Sequence, residues 1–179
     1  VDESGQHTEG SLFIVGTVIV SEERDKLRHQ LFELEHVSGK GASKWVRSKD
    51  SARSQYIERV LSTDVFQNRL YYGMYRNTRE FVPLTIATTA KAILQFAMPH
   101  KATVIVDGLN RYQRDAFAVG LRKAGIRTEK VRGATDESDP IIRLADALCG
   151  FLADVEQGRS NYKSLLNTAL SKNMMIDVT

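Results

Sequence analysis

The 179-residue chain has one cysteine, three prolines, one tryptophan and no apolar run approaching the ~18 residues of a membrane span. Each scarcity excludes something. A single thiol, Cys149, rules out an internal disulfide framework and a cysteine-rich zinc site. It suits a reducing compartment, so the expectation is a cytoplasmic protein with no membrane partner and no secretory signal. With few prolines, no low-complexity linker and no internal repeat, the chain offers no boundary, and a single domain over 1–179 is expected. The first residue is Val rather than Met, and part of the first strand is expected upstream of it. No P-loop, G-x-G-x-x-G or G-x-S-x-G occurs, so nucleotide-cofactor and serine-hydrolase chemistry has no motif support.

What is present is a weak positive balance, +3, unevenly spread. Lys40, Lys44, Arg47, Lys49 and Arg53 crowd around Trp45. A second stretch holds Arg111, Arg114, Arg122, Lys123, Arg127, Lys130 and Arg132. Either cluster is a solvated face or a track for a polyanion.

Hydrophobic patterning gives the order of elements. "SLFIVGTVIV" (11–20) is β-branched and reads as a buried strand paired with the opening strand through "SGQHTEG". Ser21 is the expected N-cap of a helix at 22–37 with Leu27, Leu31 and Leu34 on its apolar face. A second helix is expected at 51–62, a strand at 65–76, and a helix at 80–98 ended by Pro99. "ATVIVDG" (102–108) is a short strand. A helix at 111–124 follows, with Gly125 as its C′ residue, then a strand near 127–132. Asp139 and Pro140 read as N-cap and first residue of a helix at 140–157. A short helix closes the chain at 161–171. Leading strands joined as hairpins, then strands alternating with helices, imply an α/β mixed sheet flanked by helices. The RNase H-like fold has this order.

Three acids stand at suggestive places. Asp2 lies at the tip of the opening strand beside Glu3. Asp107 ends an apolar strand, where open α/β sheets place ligand sites. Both positions also suit ordinary turns. In the helix at 140–157, Asp139, Arg143, Asp146, Gly150, Asp154 and Gln157 fall within about 80° of arc on an otherwise apolar surface. Gly150 costs helix stability, so something is expected to pack closely there. Asp154 and Gln157 read as the stripe reaching solvent. If the first and fourth strands are neighbours and this helix crosses them, Asp2, Asp107 and Asp146 converge. Converging carboxylates with room for phosphate suit Mg²⁺ or Mn²⁺. Two such ions can activate water and stabilise the leaving oxygen of a phosphodiester. His7 reads as a turn residue or a proton shuttle, Lys44 as a phosphate contact or a solvated lysine, Trp45 as a stacking platform or core, and Cys149 as core.

The opening "DESG", the "ASKW" element, the strand ending "VDG" and the late "DPIIRLADALCG" together resemble the domain-of-unknown-function 3800 family over residues 1 to about 158. The resemblance implies an RNase H-like fold and a metal-dependent nuclease. It matches Asp2, Asp107 and Asp146 to the family's acids and Asp139 to a polar position ahead of the last long helix. Members often carry Glu two residues before the Lys of the K-W element. Here Ala42 stands there, with Glu3 or Asp139 as substitutes. The expectation is therefore a Mg²⁺- or Mn²⁺-dependent nuclease acting on nucleic acid. Asp2, Asp107 and Asp146 are its catalytic ligands, Glu3 and Asp139 accessory ligands, and Lys44, Trp45 and Arg143 hold substrate. The alternative is a non-catalytic RNase H-like module that binds nucleic acid or protein.

Overall fold

A computed structural model describes residues 1–6, 11–96, 101–134 and 139–179. In chain order these form β1 (Asp2–Ser4), β2 (Leu12–Val18), α1 (Arg24–Val37), α2 (Asp50–Leu61), β3 (Leu70–Arg76) and α3 (Phe81–Gln95). There follow β4 (Ala102–Asp107), α4 (Arg111–Lys123), β5 (Thr128–Ala134), α5 (Pro140–Glu156), α6 (Ser160–Ser171) and β6 (Met175–Asp177). Single 3-10 turns occur at Trp45–Arg47 and Asp64–Phe66. No helix among the described residues is long and apolar enough to cross a membrane.

One mixed sheet runs in the order β1-β2-β3-β6, antiparallel except for the β3–β6 pair, and β4 and β5 form a parallel pair. Two backbone hydrogen bonds join them. Val1 N–H donates to the Ile105 carbonyl at 2.9 Å, and Asp107 N–H donates to the Val1 carbonyl at 3.0 Å. This exchange is that of parallel neighbours and sets β1 beside β4.

β2 explains the layering. Side chains of a strand alternate between faces, and here both faces are buried. Ile14 joins a core with Leu27 and Leu31 of α1, Tyr56 and Ile57 of α2, and Leu144, Leu148 and Phe151 of α5. Phe13 and Val15 join a second core with Ala90 of α3, Val104 and Val106 of β4, and Phe117 and Leu121 of α4. The sheet thus lies between two helical layers.

α5 is the deepest helix, and Leu144, Leu148, Phe151 and Leu152 are fully buried. Each contributes on the order of 1.5–3 kcal/mol by leaving water. The expected cap is present: Asp139 accepts a hydrogen bond from Ile141 N–H at 3.0 Å, with Pro140 at the first position. Two glycines allow close approach. A Cβ on Gly16 would lie 2.8 Å from the Ala145 carbonyl oxygen, so β2 can run hard against α5. A Cβ on Gly150 would lie 2.2 Å from Trp45 Cδ1, which identifies the indole as the expected close neighbour.

Several boundaries differ from expectation. α1 starts at Arg24 with no side-chain cap, so Ser21 is not its N-cap. The strand expected at 65–76 is confined to Leu70–Arg76, because Asp64–Phe66 make a 3-10 turn. α3 ends at Gln95, and Pro99 lies outside the described residues. β6 was not expected; three residues are too short for an alternating pattern to show.

Candidate functional site

Asp2 and Asp107 line one cleft of about 480 Å³ at the ends of β1 and β4, together with Glu3, Gln6, Lys44, Thr85 and Gln113. The strand register sets this up. Val1 bridges to β4 between Ile105 and Asp107, which brings the next residue, Asp2, alongside the tip of β4. Gly108 follows at φ +62°, a left-handed turn that takes the chain away from the tip and leaves Asp107 at the mouth.

α5 brings the third acid from below. Cys149 Sγ donates to the Asp2 backbone carbonyl at 3.4 Å, which fixes α5 against β1. Asp146 lies one turn earlier on the helix. Its Oδ2 accepts a hydrogen bond from Trp45 N–H at 2.7 Å. Lys44, the residue before, sets its Nζ 3.8 Å from Asp107 Oδ2. The Lys44–Trp45 step therefore ties two of the three acids together.

The electrostatics of Asp2 report the clustering. Burial is the largest cause lifting its carboxyl, from 3.8 to about 7; a hydrogen bond from Glu3 N–H acts against it, and the charges of Asp146 and Asp107 add to the rise. Glu3 lies on the opposite face of β1. Burial raises its pKa too, while hydrogen bonds from Thr85 Oγ1, at 2.7 Å, and from Gln6 hold against the rise. Among the described residues, no three His, Cys, Asp or Glu side chains stand close enough together to hold a metal ion as placed here. Asp107 and Asp146 each lie within electrostatic range of Asp2, without the three forming a closed cage.

Other expected site residues fall elsewhere. Asp139 caps the N-terminus of α5, two turns or ~10.5 Å along the axis from Asp146. It pairs with Arg28; burial is the largest single influence and raises its pKa, but the hydrogen bonds from Arg28 and Ile141 N–H and the charges of Arg28 and Arg143 together hold the Asp139 carboxyl below its usual value. Arg143 is 2% exposed and makes a two-pronged bond to Glu35, 2.7 Å on each side, so it does not reach substrate. Trp45 is 1% exposed, with its Nε1–H donating to Asp154 Oδ2 at 2.9 Å; it presents no face to a base. Asp154 is buried as well and also meets Arg53 and Arg159, so the polar stripe of α5 does not run out to solvent there. His7 lies outside the described residues.

The basic cluster at 40–53 is not one face. Lys40 is buried, donating to the Ser43 carbonyl at 2.7 Å and lying over the Tyr56 ring, and Arg53 is buried between Asp50 and Asp154. In the second cluster Arg111, Arg122, Lys123, Arg127 and Lys130 are exposed. Cys149 is core: it is 1% exposed, and burial pushes its thiol well above the ordinary value. Sequence reasoning missed Thr85 and Gln113 in the cleft. The run of buried polar residues Thr85, Thr88 and Thr89 on α3 was the available signal for the first. No protein-family model matches the chain, and no curated protein is detectably similar to it in sequence.

Proposed function

We propose that this cleft is the site of a divalent-metal-dependent nuclease with an RNase H-like fold, as in the domain-of-unknown-function 3800 family. The sheet order β5-β4-β1-β2-β3, with α5 across β1 and β4, is the arrangement expected of that fold. One observation carries the functional reading: Asp2 is buried at the cleft, and burial first, with the charges of Asp146 and Asp107 adding to it, lifts its carboxyl to about 7. Such a cluster calls for compensation by a proton or a cation.

The donor set fits Mg²⁺ or Mn²⁺, since every member is a hard carboxylate oxygen. Asp2, Asp107 and Asp146 would hold the metal, which when bound supplies an activated water and stabilisation of the leaving oxygen. Glu3 is positioned by Thr85 as an accessory acid. The Lys44 ammonium, beside Asp107, neutralises charge and draws a phosphate into the cleft. Tyr112 replaces Trp45 as the stacking surface: it is 91% exposed on the first turn of α4, next to the cleft residue Gln113 and to Arg111. The exposed cations of α4 and β5 extend the electrostatic track. The protein works on DNA or RNA in the cytoplasm in this reading.

A second reading, a non-catalytic nucleic-acid-binding module, is favoured by one observation: one oxygen of Asp146 is already engaged by Trp45 N–H. Cleavage assays with Mn²⁺ or Mg²⁺ on single-stranded, duplex and hybrid substrates separate the two. The nuclease reading expects cleavage by the parent that chelation and Asp107→Asn both abolish while oligonucleotide binding persists. Binding without cleavage in the parent across the panel supports the module.

A further inference from the structure

Val46 and Tyr112 are the two most exposed large apolar side chains among the described residues, at 78% and 91%. Scattered apolar groups are ordinary on a surface. These two share a place and a setting. Val46 lines the cleft that holds Asp2 and Asp107, and Tyr112 precedes Gln113, which lines it as well. Each is also bracketed by cations in the chain, Val46 by Lys44 and Arg47, Tyr112 by Arg111 and Arg114.

Neither side chain is exposed because its backbone is loose. Val46 follows Trp45, whose indole is buried on Gly150 and whose N–H bonds Asp146. Arg47 N–H donates to the Lys44 carbonyl and Ser48 N–H to the Trp45 carbonyl, both at 3.1 Å. With Trp45 turned into the core, the turn shows Lys44 to Asp107 and Val46 to water. Tyr112 occupies the second position of α4, and the segment before it is clamped on β5. Gly108 N–H donates to the Ala134 carbonyl at 3.0 Å, and a Cβ on Gly133 would lie 2.2 Å from the Leu109 carbonyl oxygen. Asn110 and Gln113 then exchange capping hydrogen bonds of 3.1 and 3.0 Å. Two anchored turns thus hold apolar side chains in water beside the acids, where the packing of the chain itself gains nothing from them.

We infer that the cleft takes single-stranded nucleic acid, with one unpaired base stacked on Tyr112 and another packed on Val46, while the bracketing cations meet phosphates. This inference rests on the nuclease reading and adds its substrate class. Alternating apolar and cationic contacts match the alternation of base and phosphate along one strand. A duplex keeps its base faces stacked on one another. It offers phosphates, sugars and groove edges, on which a tyrosine ring and a valine gain little. The cleft volume, about 480 Å³, is that of a small-molecule pocket, ~300–1,000 Å³, and admits a nucleotide or two rather than a helix. Lys44 is the only basic residue among the described residues lining it, against Asp2, Glu3 and Asp107, so a second backbone would face acids.

The test measures binding in chelator by fluorescence anisotropy, with a labelled DNA and a labelled RNA of about 12 nucleotides, each alone and annealed to its complement. For at least one of the two, the single strand should bind at least about tenfold tighter than its duplex. Tyr112→Ala should weaken single-strand binding by about 5- to 150-fold, the worth of one stacked base, and Tyr112→Phe should restore it. The slope of affinity against salt should not change, because no cation is removed. Val46→Ser should weaken binding by about fourfold, the worth of one buried methylene. Equal or tighter duplex binding, no binding of any of these nucleic acids, or single-strand affinity that survives Tyr112→Ala or Val46→Ser would overturn the proposal. The nuclease reading fails on a different result, the absence of metal-dependent cleavage or of Mn²⁺ binding, to which an assay in chelator is blind.

Discussion

Trp45 N–H donates to Asp146 Oδ2 at 2.7 Å, and the indole of the same residue lies on Gly150, one helical turn further along α5. The two contacts fix a loop to a helix at adjacent turns. They also place Lys44, whose ammonium is 3.8 Å from Asp107 on a different strand. A residue that belongs to the core thus positions one that faces the cleft.

Gly150→Ala tests this coupling. The added methyl would meet Trp45 Cδ1 at 2.2 Å and Cγ at 2.3 Å, both in a rigid ring, so the loop must shift. Overpacking costs about 1–3 kcal/mol, against about 1 kcal/mol gained in helix propensity. A net loss of up to about 2 kcal/mol in denaturant unfolding is expected, with weaker oligonucleotide affinity as Lys44 moves. Unchanged stability would place the loop elsewhere.

Arg143 has a structural role that its position on the polar stripe of α5 concealed. Arg143→Ala leaves Glu35 buried without its bidentate partner, a change that costs about 3–5 kcal/mol. Lys40 Nζ, 3.9 Å from Glu35, offsets part of this and points to the lower end of that range. Oligonucleotide affinity of the folded variant and its salt dependence should match the parent, because a buried arginine releases no counterions. A shallower salt slope would return Arg143 to the interface.

Some of this was legible in the sequence for local reasons. Asp139-Pro140 is a start signal that acts within one turn, Gly150 in an apolar helix announces a close neighbour, and Asp107-Gly108 after four β-branched or apolar residues marks a strand tip. What was hidden depends on pairs distant in the chain. Glu35 sits on α1 and Arg143 on α5, and neither sequence neighbourhood names the other. Lys40 and Asp154 read as surface residues until Tyr56, Ser43, Trp45 and Arg53 enclose them. Asp146 stood out because the helix around it is apolar. Its bond to a backbone amide 101 residues away did not.

The raised pKa of Asp2 has a stability consequence. The folded state keeps this proton up to about pH 7, while the unfolded chain releases it near 3.8. The unfolded state therefore binds fewer protons between those values, and stability falls as pH rises through that window, by up to about 4 kcal/mol from this group. Asp2→Asn removes the contribution. In chelator-treated protein, the stability of the variant relative to the parent should grow from pH 4.5 to pH 8 and then level off. A difference independent of pH would mean that the folded state does not raise the Asp2 carboxyl.

Manganese binding tests the central claim most directly, because it needs no knowledge of the substrate. The free Mn²⁺ signal in electron paramagnetic resonance should fall on titration with the parent protein, to a stoichiometry of about one or two. Asp107→Asn, folded as judged by circular dichroism, should lose that binding or weaken it at least about tenfold, since an amide carries no charge to hold the cation. Equal Mn²⁺ binding by the parent and Asp107→Asn, or none by the parent at millimolar metal, would contradict a metal site built on Asp2, Asp107 and Asp146.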